Sequence, residues 1–285
     1  MIKPHKGYEN HMASQRLNKS EADLIAAKKQ GEELMGYTVP EGMRVENFEI
    51  DGPEENQKLS LRIYKPKGLQ ENAPVVMDIH GGGWVGGNLD IDNYRCIELA
   101  QRTPCAVIGV DYRLSNAQVH YPQPLMDCFT ALNYIYNHAN ELGVDKDRIA
   151  LHGTSAGANL VAGLSLYVRD HKGPEIKLSV LNCPVLSLEY IHDPAFQQLK
   201  DYRMRASRPD ENVEYIYLGE YTEDTPEMYA FAGYCEDLKG LNPHMVIVGE
   251  YDTLRDDGIR YANRLLATGV SCEMIVAPRV GHGFC

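Results

Sequence analysis

The stretch that decides the fold is Asp-Arg-Ile-Ala-Leu-His-Gly-Thr-Ser-Ala-Gly-Ala-Asn-Leu, residues 147–160. Its apolar run over 149–151 is typical of a short buried strand, and apolar residues recur at helical spacing after Gly157. A sharp turn between strand and helix leaves little room for a Cβ, which explains the glycines on either side of Ser155. The pattern predicts a strand, a tight turn and a helix that present the Ser155 hydroxyl at the edge of a sheet.

Strand and helix patterns alternate on both sides of this stretch. The predicted strands cover 45–50 and 59–64 (an antiparallel pair), 74–79, 105–110, 178–183, 245–248 and 272–277, and the predicted helices cover 91–102, 125–142 and 254–267. Continuous apolar runs indicate strands that are covered on both faces. The alternation therefore predicts a doubly wound α/β fold whose sheet becomes parallel after the first pair.

The pattern also divides the chain into segments. Residues 1–44 form an N-terminal segment with a helix start at Ser20, and residues 45–183 are the first part of the α/β core. Residues 184–236 lack a clear buried strand and are rich in tyrosine, which predicts an inserted helical cap. Residues 237–285 resume the alternation and are the second part of the core.

Composition narrows the classes of function. The formal net charge of −12 would repel a phosphate backbone or an anionic membrane surface, so nucleic acid is not an expected partner. The seven cysteines are scattered without a C-x-x-C pair, which argues against a disulfide framework and a zinc site. The N-terminus lacks the apolar region of a signal peptide, and no run is long enough for a membrane span. We expect a cytoplasmic protein without a metal.

A serine nucleophile needs a base, and the base needs an acid to orient it. His282 follows the last predicted strand, and Asp252 follows the strand over 245–248, so both lie at the strand ends where parallel sheets place their ligands. Asp256 and Asp257 compete with Asp252, but their position at a helix start favours capping and charge pairing. We expect Ser155, His282 and Asp252 to form a catalytic triad.

The run His-Gly-Gly-Gly-Trp, residues 80–84, follows the strand over 74–79. Its glycines allow the N–H groups of Gly82 and Gly83 to approach a substrate oxygen, and Ala156 beside the nucleophile supplies a third N–H. A phosphate-binding loop is disfavoured because Gly-x-x-x-x-Gly-Lys is absent. His80 is expected to anchor this loop, and His152 is expected to pack or to bond to backbone inside its strand.

Five motifs in this order resemble the hormone-sensitive-lipase-like esterases of the α/β-hydrolase superfamily, specifically the bacterial family IV subgroup with Gly-Thr-Ser-Ala-Gly. They are His-Gly-Gly-Gly-Trp (80–84), Asp-Tyr-Arg-Leu (111–114), Gly-Thr-Ser-Ala-Gly (153–157), Asp-Thr-Leu-Arg-Asp (252–256) and His-Gly-Phe (282–284). The resemblance implies an eight-stranded, mostly parallel sheet with a helical cap, no cofactor, and hydrolysis of small-molecule carboxylic esters with short acyl chains, from acetyl to about hexanoyl. It also implies Ser155 as nucleophile, His282 as general base and acid, Asp252 as its orienter, and Gly82, Gly83 and Ala156 as the oxyanion hole.

The chain departs from that family in two respects. Many members carry Asp where this chain has Thr154, so the stabilising role of that Asp must be filled otherwise. Members also continue into a final helix, whereas this sequence ends at Cys285, three residues after His282. We expect either that the sequence is truncated or that a partner chain covers this face, as in a homodimer.

These observations predict a serine ester hydrolase with an acyl-serine intermediate. Trp84 and Tyr190 are candidates for the substrate pocket, and the tyrosines of the insertion raise the further hypothesis of an aromatic or sugar-bearing alcohol group. An amidase of the kynurenine formamidase type would use the same groups. A receptor without catalysis on the same scaffold, as in the gibberellin receptors, is the other alternative, although Ser155, Asp252 and His282 are all present.

Overall fold

The computed structural model describes residues 38–199, 213–219 and 228–284. Its strands are β1 (Arg44–Asp51), β2 (Lys58–Lys65), β3 (Ala73–Ile79), β4 (Ala106–Asp111), β5 (Val144–Thr154), β6 (Ile176–Asn182), β7 (His244–Gly249) and β8 (Cys272–Ala277). They form one sheet in the order β1-β2-β4-β3-β5-β6-β7-β8. The β1–β2 and β2–β4 pairs are antiparallel, and every other pair is parallel. The predicted eight-stranded, mostly parallel sheet is confirmed.

The helices of the core are α1 (Asn93–Arg102), α2 (Gln123–Asn137), α3 (Ala139–Leu142), α4 (Ala156–His171) and α7 (Arg255–Ala267). Between β6 and β7 lie two short helices, α5 (Pro194–Leu199) and α6 (Val213–Leu218), and two 3-10 turns, Leu188–His192 and Ala232–Tyr234. Across the described ranges, none of the helices has the length and apolarity to cross a membrane. The N-terminal helix predicted from Ser20 lies outside the described residues.

The prediction of one helix over 125–142 is wrong, because the helix is interrupted at His138, between α2 and α3. Both the backbone N–H and the ring Nδ1 of His138 contact the carbonyl oxygen of Tyr134, at 2.9 and 3.1 Å. Gly143 then ends α3 in the left-handed conformation, with φ of 63°. The apolar periodicity carries through this break, which is why the sequence pattern alone does not reveal it.

The two faces of the sheet are covered by different helices. Val107 of β4 belongs to a small buried cluster with Cys96 and Ile97 of α1, whereas the next residue, Ile108, belongs to the large cluster that includes Leu132 of α2. Successive side chains of a strand point to opposite faces, so α1 and α2 lie on opposite sides of the sheet. Fully burying one such aliphatic side chain contributes about 1.5–3 kcal/mol, which makes both layers strong contributors to stability.

Candidate active site

Ser155 occupies the turn between β5, which ends at Thr154, and α4, which begins at Ala156. Its φ and ψ are 58° and −119°, a strained conformation for a residue with a side chain. The turn also demands close approach of the backbone, because a Cβ on Gly157 would lie 2.0 Å from the carbonyl oxygen of Ile79. The local sequence thus forces the serine out of the strand and toward the edge of the sheet.

Three side chains from distant parts of the chain meet at this edge. The Oγ of Ser155 lies 2.8 Å from Nε2 of His282. The Nδ1 of the same ring lies 3.1 Å from each carboxylate oxygen of Asp252. With Nδ1–H donating to the carboxylate, Nε2 is left as the acceptor for the serine hydroxyl, which is the arrangement that activates a nucleophile.

The carboxylate of Asp252 is fully buried beside the imidazole. Burial by itself raises the pKa of this carboxyl, but the charge of His282 and its hydrogen bond outweigh that effect. The N–H of Leu254 donates a further hydrogen bond, at 2.9 Å, and the nearby side chain of Cys183 also lowers the pKa. The net result is a pKa below the usual value for aspartate, so the group is ionised throughout the neutral range.

The loop over 80–84 runs alongside the nucleophile. A Cβ built on Gly81 would lie 3.4 Å from the Cβ of Ser155. Gly82 has φ of 128°, and a Cβ there would lie 2.0 Å from the carbonyl oxygen of Gly86, so no other residue type fits. His80 anchors the loop, as expected, through Nδ1, which lies 2.8 Å from the carbonyl oxygen of Gly81.

Trp84 and Tyr190, the two candidates for the substrate pocket, are both buried. The Trp84 ring stacks on Tyr217 of α6, with centroids 4.5 Å apart. The hydroxyl of Tyr190 hydrogen bonds to Glu214, also on α6. The Trp84–Tyr217 stack therefore ties the insertion to the core, whereas the Tyr190–Glu214 bond lies within the insertion. The sequence could not show either contact, because the partners are more than 20 residues apart along the chain.

Asn159 is a connecting residue that sequence reasoning missed. It lies in the first turns of α4, fully buried, and its Oδ1 accepts from the indole Nε1–H of Trp84 at 3.2 Å. Its Nδ2 donates to the carbonyl oxygens of Val185 and Ala230, at 2.9 and 2.8 Å. One amide thus joins α4 to the loop over 80–84 and to both ends of the insertion. Its only sequence signal is its position four residues after Ser155.

Replacing Asn159 with Leu should destabilise the protein by about 3 kcal/mol or more, because a buried indole N–H and two buried carbonyls lose their partner. We also expect kcat/KM on an ester substrate to fall by about tenfold, since the loop over 80–84 loses one anchor. Urea unfolding and steady-state kinetics measure the two effects. Asn133→Leu is the matched control: Asn133 of α2 makes one local bond, to the carbonyl oxygen of Phe129, and should cost under about 0.5 kcal/mol. Equal losses in the two variants would contradict the connecting role.

A buried ionic network lies directly behind the turn. The guanidinium of Arg95 donates to both oxygens of Asp78, at 3.1 and 3.0 Å, and to the hydroxyl oxygen of Thr154, at 2.7 Å. Burial alone would raise the pKa of the Asp78 carboxyl, but the charge of Arg95 and the hydrogen bond from His152 hold it well below its usual value. His152 was expected to pack or to bond to backbone, yet its Nδ1 lies 2.6 Å from Asp78. Thr154 is thus held by a cation from α1.

Asp256 and Asp257, the competitors of Asp252, have other partners. Asp257 accepts from the N–H groups of Leu186 and Ser187, at 2.6 and 3.0 Å, and also pairs with Arg260. Asp256 accepts from the N–H of Ala195 at 2.9 Å. The expected charge pairing is present in Asp257 and Arg260. The backbone N–H groups that these carboxylates bind, however, belong to the insertion and not to α7. They fasten the insertion to the core and do not contact the imidazole of His282.

Potential metal ligands converge at one place in the part of the chain that the structure describes. Cys183, Asp252 and His282 each offer one ligand atom, and these atoms all lie within 4.8 Å of one another. Two of the three, Asp252 and His282, already bond to each other in the Ser155–His282–Asp252 chain. A cation there would take the Nδ1 proton's place and remove the hydrogen bond that orients the imidazole.

Comparison with known proteins gives the family. A family model described as "alpha/beta hydrolase fold" matches residues 76–285. An arylesterase of Saccharolobus solfataricus is 37% identical over 84% of this chain and 76% of that protein, and the esterase LipI of Mycobacterium tuberculosis is 34% identical over 92% and 81%. The solved structure of a bacterial heroin esterase superposes with a TM-score of 0.81 at 33% identity, covering 93% of this chain and 85% of that one. The chain belongs to the hormone-sensitive-lipase-like esterases of the α/β-hydrolase superfamily, a family of carboxylic-ester hydrolases.

Proposed function

We propose that this protein hydrolyses carboxylic esters with short acyl chains, from acetyl to about hexanoyl, through an acyl-serine intermediate. The observation that carries the proposal is the unbroken line of contacts from Ser155 Oγ to His282 Nε2, at 2.8 Å, and from His282 Nδ1 to the Asp252 carboxylate, at 3.1 Å. A receptor without catalysis has no need of a serine held at hydrogen-bond distance from an imidazole nitrogen.

The first half of the reaction acylates the serine. Ser155 Oγ attacks the ester carbonyl carbon while its proton passes to Nε2 of His282, and the carbonyl oxygen becomes an oxyanion. The N–H groups of Gly82, Gly83 and Ala156 stabilise that oxyanion, and Ala156 adds the positive end of the α4 dipole. The tetrahedral intermediate then collapses, the C–O bond to the alcohol breaks, and Nε2–H protonates the departing alkoxide.

The second half releases the acid. A water molecule takes the place of the alcohol, gives its proton to Nε2 of His282 and attacks the acyl carbon. The same N–H groups hold the second oxyanion, and the bond to Ser155 Oγ breaks as Nε2–H returns a proton to that oxygen. Asp252 stays ionised in both halves, so it can stabilise the imidazolium each time it forms.

The preference for short acyl groups has one support within the structure besides the family. The side chain of Val213, at the start of α6, would lie 3.5 Å from a Cβ on Gly83, so α6 closes directly over the oxyanion loop. We infer that an acyl chain bound at this loop would meet α6, which would limit its length. The insertion over 184–236 would in this proposal act as a cap that limits the acyl pocket.

A phosphonate label and an acyl-length series test the proposal together. A p-nitrophenyl alkylphosphonate should add its phosphonyl mass to the peptide that contains Ser155, and prior labelling should abolish ester turnover. With p-nitrophenyl esters, kcat/KM should be highest between acetate and hexanoate and fall by about tenfold or more at decanoate. Label on another peptide would contradict the mechanism, and an undiminished rate at decanoate would contradict the acyl preference. Faster turnover of N-formylkynurenine than of any ester would favour the formamidase instead.

A further inference from the structure

One buried nucleophile near the site has no part in the mechanism above. Cys183 directly follows β6 and is completely buried. Its φ is 50°, in the left-handed region that costs a residue with a side chain about 1–2 kcal/mol. The backbone is held there by its N–H, which donates to the carbonyl oxygen of Ile247 at 2.7 Å. A strained conformation that redirects a side chain calls for a reason in what that side chain touches.

The side chain touches the carboxylate of the triad. Cys183 Sγ lies within 4.8 Å of both the Asp252 carboxylate and the His282 ring nitrogen, and the thiol helps to lower the pKa of that carboxyl. A thiol next to a carboxylate must donate, because an ionised carboxylate can only accept. Three donor groups therefore surround the Asp252 carboxylate: His282 Nδ1–H, Leu254 N–H and Cys183 S–H.

We propose that Cys183 is a positioning residue for the general base, acting through Asp252. The inference rests on the proposed function, since it assigns a role within the same triad. Three donors from three separate elements fix the plane of the carboxylate, and that plane sets the direction in which His282 Nδ1–H points. By donating to the carboxylate, the thiol also reduces the negative charge that faces His282 and so weakens the stabilisation of the imidazolium by Asp252.

The simpler role of a buried thiol is to fill space, and the chain contains a matched example. Cys128 of α2 is equally buried and belongs to the large cluster between helix and sheet. Truncating either thiol removes one sulfur from a packed interior, but only Cys183 contacts a triad residue. Comparing the two positions therefore separates the loss of packing from the loss of the hydrogen bond.

The test uses Cys183→Ala, Cys183→Ser and Cys128→Ala in the full chain, with p-nitrophenyl butyrate as substrate. Cys183→Ala should lower kcat by about tenfold, the effect of one hydrogen bond, with KM within about twofold. Cys183→Ser keeps a donor at the same place and should restore kcat to within about threefold of the parent protein. Cys128→Ala should lower the unfolding temperature and leave kcat unchanged.

A second readout responds to the charge of the carboxylate and not to packing. Without the thiol donor, Asp252 favours the imidazolium more strongly, so the acidic limb of the kcat/KM profile of Cys183→Ala should move up by about half a pH unit. The Nδ1 proton of His282, followed by proton NMR, should shift in Cys183→Ala and return toward its original position in Cys183→Ser. Cys128→Ala should change neither signal.

Each outcome decides one point. If Cys183→Ala keeps the kcat and pH profile of the parent, or if Cys183→Ser is no better than Cys183→Ala in both readouts, the positioning role is overturned. If Ser155 takes no phosphonate label and the parent hydrolyses no ester, the failure belongs to the proposed function instead. The NMR comparison remains informative in that case, because the contact between Cys183 and Asp252 does not require turnover.

Discussion

Ser155→Ala should lower kcat on p-nitrophenyl esters by about five orders of magnitude and leave the fold unchanged. The substitution removes only the Oγ, whose contact is with Nε2 of His282 at 2.8 Å. Alanine can take the φ of 58° at the same cost as serine, and the turn is held by Gly157 and by the N–H of residue 155, which donates to the carbonyl oxygen of Asn182. The substitution therefore removes the nucleophile and leaves the turn over 153–157 in place.

The measurement is steady-state turnover against the rate in buffer, with the thermal melt and far-ultraviolet circular dichroism as checks on folding. His282→Ala should cost about as much as Ser155→Ala, and the double variant should cost little more, because residues that act as one unit are not additive. Any turnover that remains above the rate in buffer would come from the N–H groups of Gly82, Gly83 and Ala156. Turnover of Ser155→Ala within about tenfold of the parent would remove serine from the mechanism altogether.

The fold could be predicted largely from the sequence because its signals are local. A buried strand gives an apolar run in consecutive residues, and the sharp turn over 153–157 is marked by the two glycines in its own sequence. The site could be predicted for the same reason: in a parallel sheet, every strand that ends near the site brings the following loop to the same edge. Ser155, Asp252 and His282 each follow a strand, so knowing the strands was enough to bring them together.

Other features depend on which distant residues become neighbours, and the sequence does not contain that information. Asn159 bonds to Trp84, 75 positions away, and to Ala230, 71 positions away. Trp84 stays a candidate for the substrate pocket, and its stacking partner, Tyr217, belongs to the insertion and could not be identified from the sequence. No sequence motif marks Cys183. Its left-handed backbone conformation, which directs its side chain, cannot be read from the sequence.

The structure shows what holds Thr154, the position at which this chain departs from the pattern expected of the family. At the position where the family resemblance led us to expect Asp in many members, this chain has a hydroxyl oxygen that accepts from Arg95 at 2.7 Å. The charge of Arg95 is balanced instead by Asp78 and Asp92, at 3.0 and 2.7 Å. A carboxylate beside the nucleophile is therefore unnecessary for charge balance, and the turn stays tethered to α1 by a hydrogen bond alone.

Asp252→Asn should lower kcat by about four orders of magnitude with little change in stability, because the amide imposes the wrong tautomer on His282. The N–H of Leu254 donates to the Oδ1 of Asp252 at 2.9 Å, so an asparagine here must keep its oxygen on that side. Its NH₂ group then takes the place of Oδ2, which also lies 3.1 Å from His282 Nδ1, and an N–H donor there favours Nδ1 as the acceptor. The ring proton moves to Nε2, which can no longer take the proton of Ser155.

The kinetic signature distinguishes this cause from a loss of structure. KM should stay within a few-fold of the parent, and labelling of Ser155 by the phosphonate should slow by a factor similar to the fall in kcat, since both need Nε2 as an acceptor. Asp256→Asn is the matched control, because that carboxylate lies on α7 and accepts from the N–H of Ala195 at 2.9 Å without touching the imidazole. It should keep kcat within about threefold of the parent. A larger fall in Asp256→Asn than in Asp252→Asn would show that the acid of the triad had been assigned to the wrong carboxylate.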